Sequence, residues 1–107
     1  MKGELLKGNL DMLLLSVVAE RPSHGYAIIE ELRRRSSGAF DLAEGTVYPA
    51  LHRLEAGGLV SSRWSDEGGR RRRVYDIRGK GREALQASRE EWRVFARAVR
   101  SVMAEGA

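Results

Sequence analysis

The sequence predicts a mainly α-helical domain that carries one small β-hairpin. Apolar residues recur at helical spacing through residues 4–56, the period changes to two over residues 60–77, and helical spacing returns from about residue 81. We therefore expect three helices, a hairpin and a long final helix, in that order.

The first helix is predicted over residues 4–20. Its apolar side chains spread over more than one face, so the helix needs cover on several sides. In so small a domain we expect a second copy of the chain to supply part of that cover. We assign Leu6, Leu10 and Leu14 to this interface between subunits.

The second helix is predicted to follow Ser23, whose hydroxyl is suited to cap it. Tyr26, Ile29 and Leu32 lie at helical spacing and form its apolar stripe. The helix is expected to end near Arg33–Arg35, where cations offset the dipole at its carboxyl end.

The third helix is predicted over Glu44–Ala56, and one stripe of it, Val47, Leu51 and Leu54, is expected to face the core. The opposite face is polar without being uniformly charged. Tyr48 lies at the edge between the two faces, so a core role and a surface role both stay open for it. The members of the polar face are Thr46, Tyr48, Pro49, His52 and Arg53.

The hairpin is predicted from an alternating strand at Val60–Trp64, a turn at Asp66–Gly69 and a returning strand at Val74–Ile77. Its tip and return strand carry four consecutive cations. Four adjacent positive charges repel one another, so they favour an anionic partner. These cations are Arg70, Arg71, Arg72 and Arg73.

The final helix carries a heptad seam from about Gly81 onward. Leu85, Trp92 and Val99 are spaced by seven. A second set, Ser88, Phe95 and Val102, has the same spacing, with Ser88 as its one polar residue. So short a seam must pack on something, and the first helix of a partner subunit would serve. The interface residues that we assign here are Leu85, Trp92 and Val99.

Composition agrees with one folded domain and an anionic partner. The chain has 107 residues, 42% of them hydrophobic, a formal charge of +4, and arginine at sixteen of its 19 cationic positions. It contains no cysteine, which excludes disulfides, thiolate metal sites and cysteine nucleophiles. The longest dense apolar stretch, residues 12–19, is too short to cross a bilayer, and no secretory signal is evident. We expect a cytoplasmic protein with no membrane partner.

Three helices followed by a hairpin with a basic tip are the plan of a winged helix-turn-helix domain. An α-helix of about 10–12 Å across fits the major groove of double-stranded DNA, and an arginine-rich wing can reach the backbone or the adjacent minor groove. We therefore assign the polar face of the third helix and the four wing arginines to DNA contact. Residues 1–80 would form the DNA-binding domain and residues 81–107 the dimerisation helix, in one compact unit.

Other kinds of site find little support in the sequence. His24 and His52 are the only histidines, and no carboxylate pair joins them at ligand spacing, so we expect no metal. No catalytic constellation and no phosphate-binding loop is present, so we expect neither catalytic residues nor a cofactor. Trp92 and Phe95 suit a core or an interface, but together with Leu13 they could also line a pocket for a planar ligand.

Particular motifs in the chain resemble the PadR-like transcriptional regulators. They are His24-Gly25-Tyr26, then Gly-Thr-Val-Tyr-Pro-Ala-Leu-His-Arg-Leu-Glu at residues 45–55, then Gly58-Leu59-Val60. The likeness continues through Trp64, the wing arginines, Tyr75 and Gly81, and spans nearly the whole chain.

The resemblance implies a bacterial homodimeric repressor that binds a pseudo-palindromic operator and is released by a small planar or phenolic effector. The single short final helix is similar to that of the compact subgroup of the family. By that likeness Trp92 matches a central aromatic that sandwiches planar ligands, with Phe95 one turn away. Arg78 stands where the family often has a threonine, which removes a cap from the last helix.

Two alternative functions stay open on the sequence alone. The wing and third helix could form a protein-interaction module without operator binding. The chain could also be mainly a sensor of a small molecule or a metal, with weak DNA affinity. A discrete footprint on DNA would separate these alternatives from a sequence-specific repressor.

Overall fold

The computed structural model describes residues 6–104. The elements follow one another in the predicted order, with one short strand and one 3-10 turn added. They are α1 (Leu10–Val18), β1 (Ser23–His24), α2 (Gly25–Arg35), α3 (Glu44–Ala56), β2 (Val60–Ser65), a 3-10 turn (Glu67–Gly69), β3 (Arg72–Ile77) and α4 (Gly79–Met103).

Helix α1 lies at the centre of the core and is shorter than the predicted 4–20, part of which falls outside the described residues. A turn at Gly8–Asn9 precedes it. It contacts α2, α3, α4 and β3 of its own chain. The protomer itself therefore buries the helix on several sides, and the expectation that a second copy supplies part of its cover stays a prediction. Its buried residues are Leu10, Leu14, Leu15, Val17 and Val18.

Helix α2 begins one residue later than a serine cap would place it. The cap is His24, whose Nδ1 accepts a hydrogen bond from the backbone N–H of Ala27 at 3.2 Å. Ser23 instead belongs to β1, so its predicted capping role was wrong. Tyr26 is also not part of the apolar stripe, because its side chain is 56% exposed. The core-facing residues of α2 are Ile28, Ile29 and Leu32.

Helix α3 has the bounds and the core stripe that the sequence predicts. Val47, Leu51 and Leu54 are all buried. Pro49 is the sixth residue of the helix, so its missing N–H leaves the carbonyl of Gly45 without the usual helical hydrogen bond. The helix stops at Gly57, and Gly58 follows with a φ of 78°, a left-handed conformation that glycine adopts without strain.

The hairpin belongs to a three-stranded antiparallel sheet with the order β1-β3-β2. The register pairs Val60 with Ile77 and Trp64 with Arg73. Val60, Tyr75 and Ile77 point from this sheet into the core. The short strand β1 pairs with β3 through Ser23 and His24, and so ties the start of α2 to the wing.

Helix α4 starts at Gly79, with Arg78 as a cap residue that contributes no side-chain hydrogen bond. Gly81 is buried there. A Cβ at this position would lie 2.1 Å from the backbone oxygen of Leu59, so the close packing requires glycine. Leu85 is the other buried residue of the helix, and beyond it every described side chain is exposed or half-buried. At about 1.5 Å per residue the helix is about 37 Å long, so most of its length extends away from the core.

The described part of the chain, residues 6–104, contains no helix that is long and apolar enough to span a membrane. Within the same range, no three His, Cys, Asp or Glu side chains are grouped so that they could hold a metal ion.

Candidate nucleic-acid interface

The polar face of α3 is open to solvent along the length of the helix. Thr46, Pro49, His52 and Arg53 are exposed, and Tyr48 is half-buried. The buried core stripe anchors the opposite side of the helix in the domain, so the polar side remains accessible to a binding partner. Its charge is low, since Arg53 is the only cation among these five and lies 3.8 Å from Asp11.

Tyr48 has a defined place because of Gly25. A Cβ at Gly25 would lie 2.5 Å from Cε1 of Tyr48 and 2.7 Å from its hydroxyl oxygen. The ring therefore packs on the bare backbone at the start of α2, and this contact holds α2 and α3 at a fixed separation. The sequence left a core role and a surface role open for Tyr48. Its ring packs on α2, and the side chain is half-buried, so part of it stays at the surface.

The four wing arginines divide into two pairs. Arg70 and Arg71 lie in the loop before β3 and are exposed, whereas Arg72 and Arg73 lie on β3 and are half-buried. Strand geometry directs consecutive side chains to opposite faces, so Arg72 and Arg73 meet different neighbours.

Trp64 on β2 lies beneath two of these cations. The guanidinium carbon of Arg71 is 4.9 Å from the centre of the indole, and that of Arg73 is 5.2 Å away. Both distances are within the range of a cation–π interaction. Trp64 is 53% exposed, so the indole lies on the surface of the wing with the arginines and outside the core.

Arg73 also connects the wing to α3. Its Nε donates to Oγ of Ser62 at 2.8 Å, and the Ser62 hydroxyl donates to a carboxylate oxygen of Glu55 at 2.5 Å. The same carboxylate is 3.8 Å from Nη2 of Arg73. The last turn of α3 and the two long strands are therefore joined by one small polar network.

Arg72 points to the other edge of the sheet, toward His24. Its Nη1 lies 2.8 Å from Nε2 of His24, while the other ring nitrogen faces the Ala27 N–H. A neutral imidazole can accept from one of these donors at a time, and a protonated imidazole from neither. Burial lowers the pKa of His24, and the positive charges of Arg72 and Arg70 lower it further.

A groove of about 580 Å³ runs between the start of α3 and the wing. Its walls combine aromatic side chains with cations, which is the chemistry that suits a sugar-phosphate backbone. Among the described residues that line the groove, Glu44 is the one with a carboxylate. The residues that line it are His24, Gly25, Tyr26, Glu44, Tyr48, Trp64, Arg70, Arg71, Arg72 and Arg73.

Within the described part of the chain, the three arginines at the end of α2, unlike Arg70 and Arg71 of the wing, are paired with carboxylates. Arg34 and Arg35 both bond the carboxylate of Glu31, and these hydrogen bonds lower the pKa of Glu31 to about 2. Arg33 bonds Asp41 at 2.8 Å, and Arg35 also pairs with Glu20. Carboxylates therefore neutralise this run.

A second cavity, of about 630 Å³, lies between the start of α1, with the turn before it, and the middle of α4. Trp92 and Phe95 line it, with ring centroids 6.0 Å apart, as do Met12 and the carboxylates of Asp11 and Glu91. Leu13, which the sequence assigned to a ligand pocket with the two aromatics, is not among the lining residues. Met12, the residue before it, takes that place.

The predicted interface residues fall into two groups. Leu10, Leu14 and Leu85 are buried inside the protomer, with exposures of 8%, 0% and 3%, so they belong to its core rather than to a surface open to a second chain. Leu6 and Val99 are half-buried and Trp92 is 47% exposed. The strongly exposed apolar side chains of α4 are Trp92, Val94, Phe95, Val102 and Met103.

Sequence reasoning missed the contribution of three residues to this surface. His24, Gly25 and Trp64 had been noted, but as a motif or a strand residue rather than as parts of a site. The spacing of His24 and Gly25 directly before a helix was a signal for a cap and a close approach. No signal in the sequence could show that Trp64 would lie under Arg71, because the turn decides that register.

These features define a winged-helix DNA-binding domain: a helix with one open polar face, a cationic wing beside it, and a groove of aromatics and arginines between them. Comparison with known proteins agrees. The sequence model of the Transcriptional regulator PadR-like family matches residues 14–87, and the chain belongs to this family.

Several relatives cover nearly the whole chain. Transcriptional regulator Rv3488 of Mycobacterium tuberculosis is 36% identical over 96 residues, which are 90% of this chain and 87% of that protein. The crystal structure of a PadR family transcriptional regulator from Eggerthella lenta shares 32% identity, with a TM-score of 0.83 over 97% of this chain and 88% of that one. A transcriptional regulator from Clostridium thermocellum is similar at a TM-score of 0.86 and 28% identity, covering 94% of this chain and 96% of that one. The protein is therefore a transcriptional regulator that acts through DNA binding, in a family whose members are not enzymes.

Proposed function

We propose that the protein is a homodimeric repressor that binds a pseudo-palindromic operator and is released by a planar ligand. The observation that carries this proposal is the pairing of an open polar helix face with a cationic wing across one groove. One copy offers one such face, and two copies related by a two-fold axis would offer two faces to successive turns of DNA.

Helix α3 is the element that enters the major groove in this proposal. Thr46 and Pro49 lie near its start, the end of a recognition helix that comes nearest to the bases. His52 and Arg53 lie one turn further on and are exposed. An arginine at this position suits the acceptors of guanine or a phosphate. Tyr48 reaches the DNA only with its outer edge, because its ring is packed on Gly25.

The wing supplies contacts to the backbone. Arg70 and Arg71 are exposed and make no ion pair among residues 6–104, so their charge is available to phosphates. Arg73 is held by Ser62 and Glu55, Arg72 lies against His24, and both serve chiefly to orient the wing. Of the four wing arginines assigned to DNA contact from the sequence, Arg70 and Arg71 are the principal phosphate contacts in this proposal.

Dimerisation is supported by the outer part of α4. Phe95 is 59% exposed, Val102 73% and Met103 76%, and these side chains lie on a helix that extends beyond its own core. Solvent exposure of several large apolar groups on one helix marks an interaction surface. A second copy would bury them and set the distance between the two α3 helices.

The proposed effector site is the cavity at Trp92 and Phe95. Two aromatic faces suit a flat ring system, and a second subunit would close the cavity from the other side. The carboxylates of Asp11 and Glu91 favour a planar compound with a positive charge over a negatively charged phenolate.

Selection from genomic fragments followed by footprinting tests the proposal. We expect one protected pseudo-palindrome, loss of protection with His52→Ala and Arg53→Ala together, and retained protection with the control Arg34→Ala on α2. Binding that remains weak, without a footprint, and is abolished by moderate salt would contradict the operator-binding function.

A further inference from the structure

Trp64 occupies a position that core packing does not explain. It lies outside the core cluster of the described residues and leaves 53% of its surface in water. A smaller polar residue at that strand position would leave less apolar surface exposed to water. Its neighbours are instead the guanidinium groups of Arg71 and Arg73, at 4.9 and 5.2 Å.

The register of the hairpin creates this arrangement. Trp64 pairs directly with Arg73 across the two long strands, so the two side chains share one face of the sheet. Arg71 precedes the strand by one residue and has the same parity as Arg73, and it therefore returns to the same indole from the loop. One aromatic ring thus holds two cations that are two residues apart.

Stacking holds an arginine differently from an ion pair. A guanidinium group that lies over a ring keeps its N–H donors in its own plane, directed outward, and keeps its full charge. A carboxylate partner would use those donors and cancel that charge. The run at the end of α2 shows the second arrangement, since Glu31 binds both Arg34 and Arg35.

The wing uses uncharged partners for nearly all of its arginine contacts. Trp64 holds Arg71 and Arg73, His24 contacts Arg72, and Ser62 accepts from Arg73. Among residues 6–104, Glu55 is the one carboxylate within 4 Å of these arginines; it is 3.8 Å from Arg73 and bonds Ser62 instead. Arg71 and Arg73 are therefore ordered while most of their charge remains uncompensated.

We propose that Trp64 is a positioning residue for DNA binding, which orders Arg71 and Arg73 by stacking without neutralising them. The proposal rests on the proposed function, because it requires the wing to contact the DNA backbone. Ordering a long side chain before binding removes part of the entropy that is otherwise lost on binding. Trp64 then acts through the arginines and does not itself read a base.

The test compares operator affinity at several salt concentrations for wild type, Trp64→Leu, Trp64→Phe and Arg71→Ala. Loss of the stack and of its ordering should make Trp64→Leu bind about five- to tenfold more weakly. Its log-log salt slope should equal that of wild type, because Arg71 still meets its phosphate. Trp64→Phe keeps an aromatic face and should lie within about twofold of wild type.

The Arg71→Ala variant separates the proposal that the wing binds DNA from the proposal that Trp64 positions its arginines. It should reduce the salt slope by about 0.9, since one phosphate contact is lost. If Arg71→Ala changes neither affinity nor slope, the wing does not bind DNA and the proposed function fails at this surface. If Arg71→Ala acts as expected but Trp64→Leu binds like wild type, the wing assignment stands and the role of Trp64 is overturned.

The double variant tests whether the effect passes through the arginine. Trp64→Leu in the Arg71→Ala background should weaken binding less than it does in wild type, since half of the stack is already absent. Equal effects in both backgrounds would overturn the proposal. Thermal unfolding of each variant controls for damage to the wing, and Trp64→Thr, which retains a strand-favouring residue, replaces Trp64→Leu if that variant is destabilised.

Discussion

Two glycines determine how closely neighbouring elements approach in this domain. Gly25 leaves room for the ring of Tyr48, and Gly81 lets the start of α4 lie against the backbone of Leu59. Neither glycine has a positive φ, so the requirement is for space rather than for an unusual conformation. A methyl group at either place has no room without movement of its neighbour.

The contact at Gly81 gives a matched pair of substitutions on one helix. Gly81→Ala places a Cβ 2.1 Å from the Leu59 oxygen, a backbone atom that cannot step aside, so we expect a loss of about 1–3 kcal/mol of unfolding free energy. Gly79→Ala meets nothing within 4 Å and should be neutral or slightly stabilising. Urea unfolding measures both, and equal midpoints for the two variants would contradict the close packing.

The pKa of His24 makes stability depend on pH in a defined direction. Because burial, then Arg72 and Arg70, lower that pKa below its ordinary 6.5, the unfolded chain takes up the proton first. Stability should therefore fall as the pH decreases through 6.5 and level off below the pKa of the folded state. His24→Asn keeps a capping side chain but does not titrate, so its urea midpoint should fall less between pH 7 and pH 5.

Individual residues were predictable from the sequence where one periodic pattern decided their position. The stripe of Val47, Leu51 and Leu54 follows from helical spacing alone. Tyr26 fitted the same kind of spacing but is exposed, because Ile28 and Ile29 together fill the core-facing side of α2. The short pattern could not choose between these stripes without knowledge of the packing.

At the level of elements, order and approximate bounds followed from the change of period at the hairpin. Strand β1 was missed, since two residues are too few to show an alternating pattern and β1 exists only because β3 pairs with it. The candidate DNA-binding surface on α3 and the wing stays a prediction, although residues of both elements line one groove. Which arginines are held and which are available depended on partners distant in sequence, such as His24 and Ser62.

The two arginine runs should respond differently to the same substitution. Arg70→Ala and Arg71→Ala together should flatten the salt dependence of operator binding by about 0.9 for each phosphate contact removed. Arg34→Ala, on a helix whose cations are already paired with Glu31, should leave the slope unchanged. Binding isotherms between low and moderate salt measure both slopes. Equal slopes for all three proteins would show that the wing does not carry the electrostatic contact.

For the whole molecule, the outer part of α4 should control the oligomeric state. Phe95→Asp puts a carboxylate into the exposed apolar surface and should convert a dimer into a monomer, because an unpaired charge would have to be buried. Arg97→Asp introduces the same group about 200° around the helix and should remain dimeric. Light scattering after size exclusion measures both masses. A monomeric wild-type protein at all concentrations would contradict the proposed dimer.

The outer part of α4, which extends beyond the core of the protomer, also makes the proposed dimer depend on protein concentration. From residue 86 onward the helix has no buried side chain, so in the proposed dimer its outer turns would gain most of their packing from association. Folding of that segment and pairing of subunits then become one equilibrium, governed by mass action. The temperature at which the molecule melts should accordingly rise with its concentration, and a dilute, newly made chain should meet its operator only once enough copies have accumulated.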